Sequence, residues 1–236
     1  MALPKLNALP KYTVNLPSRN MPVRYRPFLV KEQKLLLMAM ESQDSRQVVE
    51  AVSDIITACV DSEVKTHHMT MYDIEFLFAK IRSKSVGENI QLKAACLDEN
   101  CNHQSDVEVN IDEAKVSEVE ETYSIIQLTE EISLKVSHPS YERILQVQNS
   151  GSQTETIMEL IMASIDTVLT AEEQITFKDH THEEKIEFVD SLTTDQLGSI
   201  ISFLETMPAL TTDIHWNCEA CGKENTRTLR GLNDFF

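Results

Sequence analysis

The sequence predicts an α+β fold, a mainly helical body joined to a small β structure that carries four of the chain's five cysteines. Three observations lead there. Apolar residues recur at helical spacing through residues 30–86 and again through 140–207. Residues 89–111 and 211–231 instead read as short strands, alternating apolar and polar residues. Each of these two segments also holds a close cysteine pair, Cys96-Leu97-Asp98-Glu99-Asn100-Cys101 in the first and Cys218-Glu219-Ala220-Cys221 in the second, with 116 residues between them. Two thiolates a few residues apart can address one point in space, and two such pairs complete a tetrahedral sulfur site for a structural Zn2+, one per chain. The expected architecture is therefore a β zinc ribbon formed by two cysteine-bearing hairpins. It requires the middle of the chain to fold back onto the residues around 218.

The elements follow in order. Residues 1–28 hold five of the seven prolines and cannot stay helical for long. They read as an extended, proline-rich basic arm with short strands at 12–16 and 23–26 around a turn at 17–20. Such an arm is either a loose tail or a segment that orders on a neighbour. A helical region at 29–88 comes next. Its first helix, 30–41, is apolar nearly all round and is expected to be deeply buried. The second, capped by Asp44 or Ser45, places Val48, Val52, Ile55, Ile56 and Cys59 on one face, Cys59 being an ordinary core residue. The third starts at a capping box from Thr70 to Asp73 and stops at Gly87, with Lys80, Arg82 and Lys84 in the last turns, where the helix dipole favours cations. A β-rich region, 89–138, carries the first cysteine pair on a hairpin and a second strand pair at 123–128 and 132–136. Residues 139–210 read as helical, with a break at 149–151, an amphipathic helix at 156–169, and helices at 181–191 and 194–207. Strands in 211–236 complete the ribbon.

Other uses of the cysteines fit less well. Five in 236 residues is sparse for a disulfide framework. The single CxxC is followed by Gly222-Lys223-Glu224 and not by a helix that would lower a thiol pKa. Four thiolates also fill the tetrahedron, leaving no open position for a catalytic water. His103 and His215 lie near the pairs and are expected outside the ligand set.

The formal charge of −17 is unevenly distributed. Residues 1–34 carry seven basic side chains and one acid, so the other 202 residues carry a net −23. An acidic body repels phosphate and disfavours nucleic acid as a partner. No apolar run approaches the ~20 residues that span a bilayer. The N-terminus does not resemble an export signal, which points to a reducing cytoplasm. The five glycines form no phosphate-binding loop and no GxSxG elbow is present. His180 and His182 sit in a polar loop before a helix, where an N-cap is the expected role. Composition and motifs thus suggest no enzyme, and no small-molecule substrate.

The segment Val23-Arg24-Tyr25-Arg26-Pro27-Phe28-Leu29-Val30-Lys31-Glu32-Gln33-Lys34, followed by Met38-Ala39-Met40-Glu41-Ser42, resembles the opening of the baseplate hub subunit family of T-even-like contractile-tailed bacteriophages. Tyr72 to Phe78, Ile81 to Glu88 and the closing stretch Cys218 to Phe236 are similar to it too. The resemblance is strongest in the first 90 residues and the last 20, and only general in character across 110–210. It implies a non-enzymatic structural or assembly subunit of the tail baseplate hub, working through contacts with other hub or tail assembly proteins. Its place would be the virion baseplate, or the host cytoplasm during assembly. A transient hub chaperone absent from the virion is one alternative, and a nucleic-acid-binding zinc-ribbon regulator is another. Arg24 and Arg26 in the arm, and Phe235 and Phe236 at the end, are candidate partner contacts. The two rings could equally fold back under the ribbon as core.

Overall fold

The computed structural model describes residues 9–42, 44–61, 65–66, 69–117, 123–147 and 152–235. The chain divides into two compact units. The first contains residues 1–66, 72–117 and 209–236; the second contains 67–71 and 118–208.

In the first unit, β1 (Tyr12–Asn15) and β2 (Pro22–Tyr25) form an antiparallel hairpin. Its turn places Asn20 at φ +47°, a left-handed conformation that Asn tolerates better than most residues. Leu16, Val23 and Tyr25 are buried, because alternate residues of an extended chain face one side. Two sets of polar contacts hold the hairpin. The Ser18 amide donates to Asp73 Oδ1 at 3.0 Å, and the Arg26 guanidinium donates to Glu32 Oε1 at 3.0 Å and to the Ala58 carbonyl at 2.8 Å. Burial opposes charge on Glu32, but Arg26 and the Leu29 amide outweigh it and hold this carboxyl below the usual range. The segment from 12 to 28 is therefore ordered on its own chain.

Three helices follow: α1 (Val30–Glu41), α2 (Ser45–Cys59) and α3 (Met71–Val86). The expectation of a deeply buried α1 is corrected. Only Glu32, Leu36 and Ala39 turn inward, while Val30, Leu37 and Met38 are 66%, 51% and 68% exposed. A helix that is apolar all round buries only the faces that meet a neighbour, and α1 packs through one narrow side against α2. The central helix is α3, with Tyr72, Ile74, Leu77, Phe78 and Ile81 fully enclosed. Its basic last turns serve a specific acceptor. Lys80 and Ser83 both reach Asp112 Oδ1 at 3.1 Å, and Lys84 reaches Oδ2 at 3.3 Å.

Four longer strands and one short one complete this unit. β3 (Asn89–Ala95) pairs with β4 (Gln104–Asn110). The two-residue β5 (Lys115–Val116) lies beside β10 (Leu210–Asn217), which pairs with β11 (Glu224–Arg230). Ile90, Val107, Val109, Ile111, Leu210 and Trp216 share one apolar core. Glu75, on α3, fastens the return of the chain. Its carboxylate accepts the Leu210 amide at 3.1 Å and the Leu232 amide at 3.4 Å. Gly231 sits at φ +70°, and a Cβ there would come within 3.0 Å of Glu75 Oε1, so glycine is required twice over.

The second unit is a four-stranded antiparallel sheet in the order β6 (Tyr123–Gln127), β7 (Ser133–Ser137), β8 (Ile165–Leu169), β9 (Gln174–Thr176). Helices α4 (Tyr141–Val147) and α5 (Gln153–Ser164) connect β7 to β8, and α6 (His182–Asp190) and α7 (Thr194–Glu205) follow β9. The helix expected over 156–169 ends at Ser164. Its second half is β8, because Leu134↔Val168 on β7 and Val168↔Ile175 on β9 satisfy the backbone on both sides. The β-branched Ile165, Thr167 and Val168 suit that environment. Ser152/Glu155, Thr181/Glu184 and Thr193/Gln196 form reciprocal capping boxes at the starts of α5, α6 and α7. The expected break at 149–151 lies outside the described residues. Among the described residues, no helix is long and apolar enough to cross a membrane.

Candidate metal centre

The two cysteine pairs stand in the turns of two hairpins of the first unit. Cys96 follows β3 directly, and its amide donates to the His103 carbonyl at 2.9 Å, closing the first knuckle. Within it, the Cys101 amide donates to Asp98 O at 2.9 Å. The second knuckle, between β10 and β11, closes through the Cys218 amide to Lys223 O and the Gly222 amide to Cys218 O, both at 2.8 Å. Gly222 turns the chain at φ +73°, which a side chain would resist.

These turns bring all four sulfurs within 4.8 Å of one another. Cys96 Sγ lies 3.7 Å from Cys221 Sγ, and Cys101 Sγ lies 3.7 Å from Cys218 Sγ. A disulfide needs about 2.0 Å, so neither pair is bonded. A tetrahedron with metal–sulfur bonds of ~2.3 Å has sulfur–sulfur edges of ~3.8 Å, which these contacts match. The donor set thus suits a metal ion, and His103 and His215 are not among the four ligand atoms. His103 Nε2 faces Glu219 at 3.8 Å, and His215 Nδ1 meets Thr226 Oγ1 at 2.9 Å.

Electrostatics point the same way. The backbone N–H groups of Cys221 and Ala220 turn toward Cys218 and pull its thiol down to about 6. The Lys223 N–H favours the Cys221 thiolate, but desolvation and the three neighbouring sulfurs push it up to about 12. Four sulfurs at this spacing cannot all ionise comfortably alone; a bound dication removes the conflict. Cys59 is a separate case. Burial pushes its thiol up to about 11, and it is a core residue of α2.

One residue of the centre escapes the spacing argument. Asn225 is 2% exposed. Its Oδ1 accepts the Leu97 amide at 2.9 Å and lies 3.8 Å from Cys96 Sγ, while its Nδ2 donates to Lys223 O at 2.8 Å. It ties one knuckle to the other. Lys223 adds contacts to Leu97 O at 3.3 Å and to Asp98 at 3.4 Å. Held by the Asn100 amide and the Lys223 charge, Asp98 stays below the usual carboxylate range. A lone Asn beside a CxxC carries no sequence signal; only the register of β11 shows where it points.

The other candidate residues are dispersed. Arg24 is 62% exposed and lies 3.8 Å from Asp61, whereas the Arg26 side chain is 21% exposed and engaged internally. Phe235 is 1% exposed in the apolar core beneath the ribbon, with Trp216 and Leu229. Its ring is therefore not offered to a partner. Phe236 lies outside the described residues.

The family of T4 bacteriophage base plate proteins matches residues 9–236. The chain belongs to this family. No curated protein and no solved structure matches it. The match to the base plate family spans both cysteine hairpins and both units, including residues 110–210, where the quoted motifs are weakest.

Proposed function

We propose that this base plate protein is a non-enzymatic subunit of the tail baseplate hub, structural or assembly-related, that acts through contacts with other hub proteins. The observation that carries this reading is the family match across nearly the whole chain. Zn2+ is the metal we assign to the four cysteines. Four thiolates at tetrahedral spacing suit this ion, leave no coordination site for a substrate, and give it a structural role. The exposed Val30, Leu37 and Met38 on α1 leave large apolar side chains for a neighbour to cover, which supports a life in an assembly.

The test is genetic and compositional. Phage lacking this chain should accumulate tail precursors without completed baseplates, and complementation should restore them. Completed baseplates in its absence would refute the proposal. Quantitative mass spectrometry of purified virions then decides the role. A fixed copy number per particle marks a permanent hub part, and absence from particles marks an assembly factor.

A further inference from the structure

The second unit has a composition that isolates one place on its surface. Residues 67–71 and 118–208 hold eighteen carboxylates and only four Lys or Arg residues: Lys135, Arg143, Lys178 and Lys185. Lys135 lies over the Tyr123 ring, 4.6 Å from its centroid. The other three line a single hollow of about 250 Å³ together with His182. Chance would scatter three of four cations over an acidic surface. Here they come from α4, from the turn after β9 and from α6 to one rim.

The floor of the hollow is apolar, built from Met162, Ile165 and Phe177. Two of the cations are held in place. Arg143 donates to the Ala163 carbonyl at 2.6 Å and lies 3.5 Å from Asp166. The Lys185 ammonium donates to the Lys178 carbonyl at 3.1 Å and rests 5.9 Å above the Phe177 ring centroid. Among the described residues, Glu159 is the one carboxylate lining the hollow, and it pairs with His182 at 3.4 Å. Even counting Asp166, the three cations outnumber the acids beside them. A second hollow of about 330 Å³ shares Glu159, Met162 and His182 and continues along α5 and α6 over Met158, Ile186 and Val189. Ile186, in its lining, is 39% exposed.

We propose that this paired hollow is a docking site for a peptide segment of a partner protein, a carboxylate seated among Arg143, Lys178 and Lys185 and adjoining apolar side chains laid along α5 and α6. The chemistry selects that occupant. The first hollow, at about 250 Å³, falls below the usual range of small-molecule pockets, which suits one side-chain head group. A polyphosphate or nucleic acid would run from the cationic rim onto an acidic surface and be repelled. A single carboxylate stops at the rim, and Arg offers it a planar pair of donors. Glu159, between the two hollows, orients the segment by repelling the anion toward the cationic end. The inference deepens the proposed function by naming a partner's chemistry, and rests on it only for the partner being a protein.

The probe is a displayed library of random twelve-residue peptides selected on the full, metal-loaded chain. The selected peptides should share an Asp or Glu next to apolar residues. Replacing that acid by Asn or Gln in a synthetic copy should weaken binding at least tenfold, as should Lys178→Glu in the protein. Lys178 is exposed at the rim, so its variant should melt with the wild type. A second variant, Ile186→Asp, should weaken the same peptides. The proposal is overturned if selected peptides lack an acid, if both variants bind them as the wild type does, or if no peptide is enriched. It is equally overturned if millimolar inorganic phosphate displaces them and shifts the same residues, which would mark a free-anion site. These results do not depend on the virion assay, so either reading can fail alone.

Discussion

The two sheet systems of this chain meet the same difficulty in different ways. The ribbon hairpins β3–β4 and β10–β11 belong to sheets of two and three strands, a size that is marginal in water without further support. Their tips extend into turns of Asp, Glu, Asn and Lys that bury almost no apolar surface, Leu97 being 54% exposed. There, side chains separated by 125 residues in sequence are gathered around four sulfurs. The strands behind those tips share an apolar core, whereas the four-stranded sheet of the second unit is held by burial throughout, with Leu134, Val136, Ile161 and Ile200 at 0% exposure and capped helices beside them. The difference teaches where a metal cross-link would act: where long-range closure must be made by polar turns, and not where a sheet buries its own core.

That contrast can be tested at the four sulfurs. Chelation, or Cys218→Ser, should destabilise the ribbon by several kcal/mol, because metal binding and folding are coupled. Amide exchange should rise first in 89–111 and 210–232, while β6–β9 amides stay protected. Uniform loss of protection would show that the two units do not differ in this way. The converse change is Ile161→Ala. A fully buried Ile reduced to Ala costs ~2–5 kcal/mol, and the loss should fall on the second unit with metal content unchanged.

Asn225→Ala sharpens the comparison more finely. It removes the acceptor of the Leu97 amide and the donor to Lys223 O, a cost of ~1–3 kcal/mol. Metal affinity should fall by about tenfold or more, as it does when a group that orients the ligands is lost. A competition titration against a zinc chelator reads that change directly. Unchanged affinity would reduce Asn225 to a loop residue.

The smallest effects are in pH, and the two units should respond with opposite sign. Burial raises the Glu75 carboxyl in the first unit, against the pull of the Leu210 and Leu232 amides. Its contribution is present when it is protonated and is lost as pH rises through the raised value. Burial lowers His138 in the second unit, where its ring stacks on Phe203 at 4.8 Å. That contribution is present above the ordinary imidazole range and is lost as pH falls through the lowered value. Each pKa unit of displacement corresponds to about 1.4 kcal/mol. Melts across pH should therefore show Glu75→Gln gaining on the wild type toward neutral pH, and His138→Phe gaining on it toward acid. Parallel curves for either pair would remove that residue from the account.

Much of this was legible in the sequence. The cysteine spacing located the hairpins and the centre, since strand alternation and metal-ligand spacing are local patterns with one geometric meaning. The capping pattern at Thr70 marked the start of α3 for the same reason. What was not legible depended on partners distant in sequence. Ile165 to Leu169 continues an apolar helical pattern, and only pairing with β7 and β9 makes it a strand. The composition of α1 says apolar but not which faces meet a neighbour. The proline-rich segment gave no sign that Ser18 would find Asp73, 55 residues on. Phe235 was readable as contact or core, and its burial follows from the return of the chain fastened by Glu75.

The central claim is a metal staple, and elemental analysis of the purified chain, with thiols counted before and after denaturation, tests it most directly. The account predicts about one zinc per chain, almost no reactive thiol in the native protein because Cys59 is buried and the other four are ligands, and five thiols after denaturation with chelator. A metal-free protein with four thiols that react readily in the native state would contradict it.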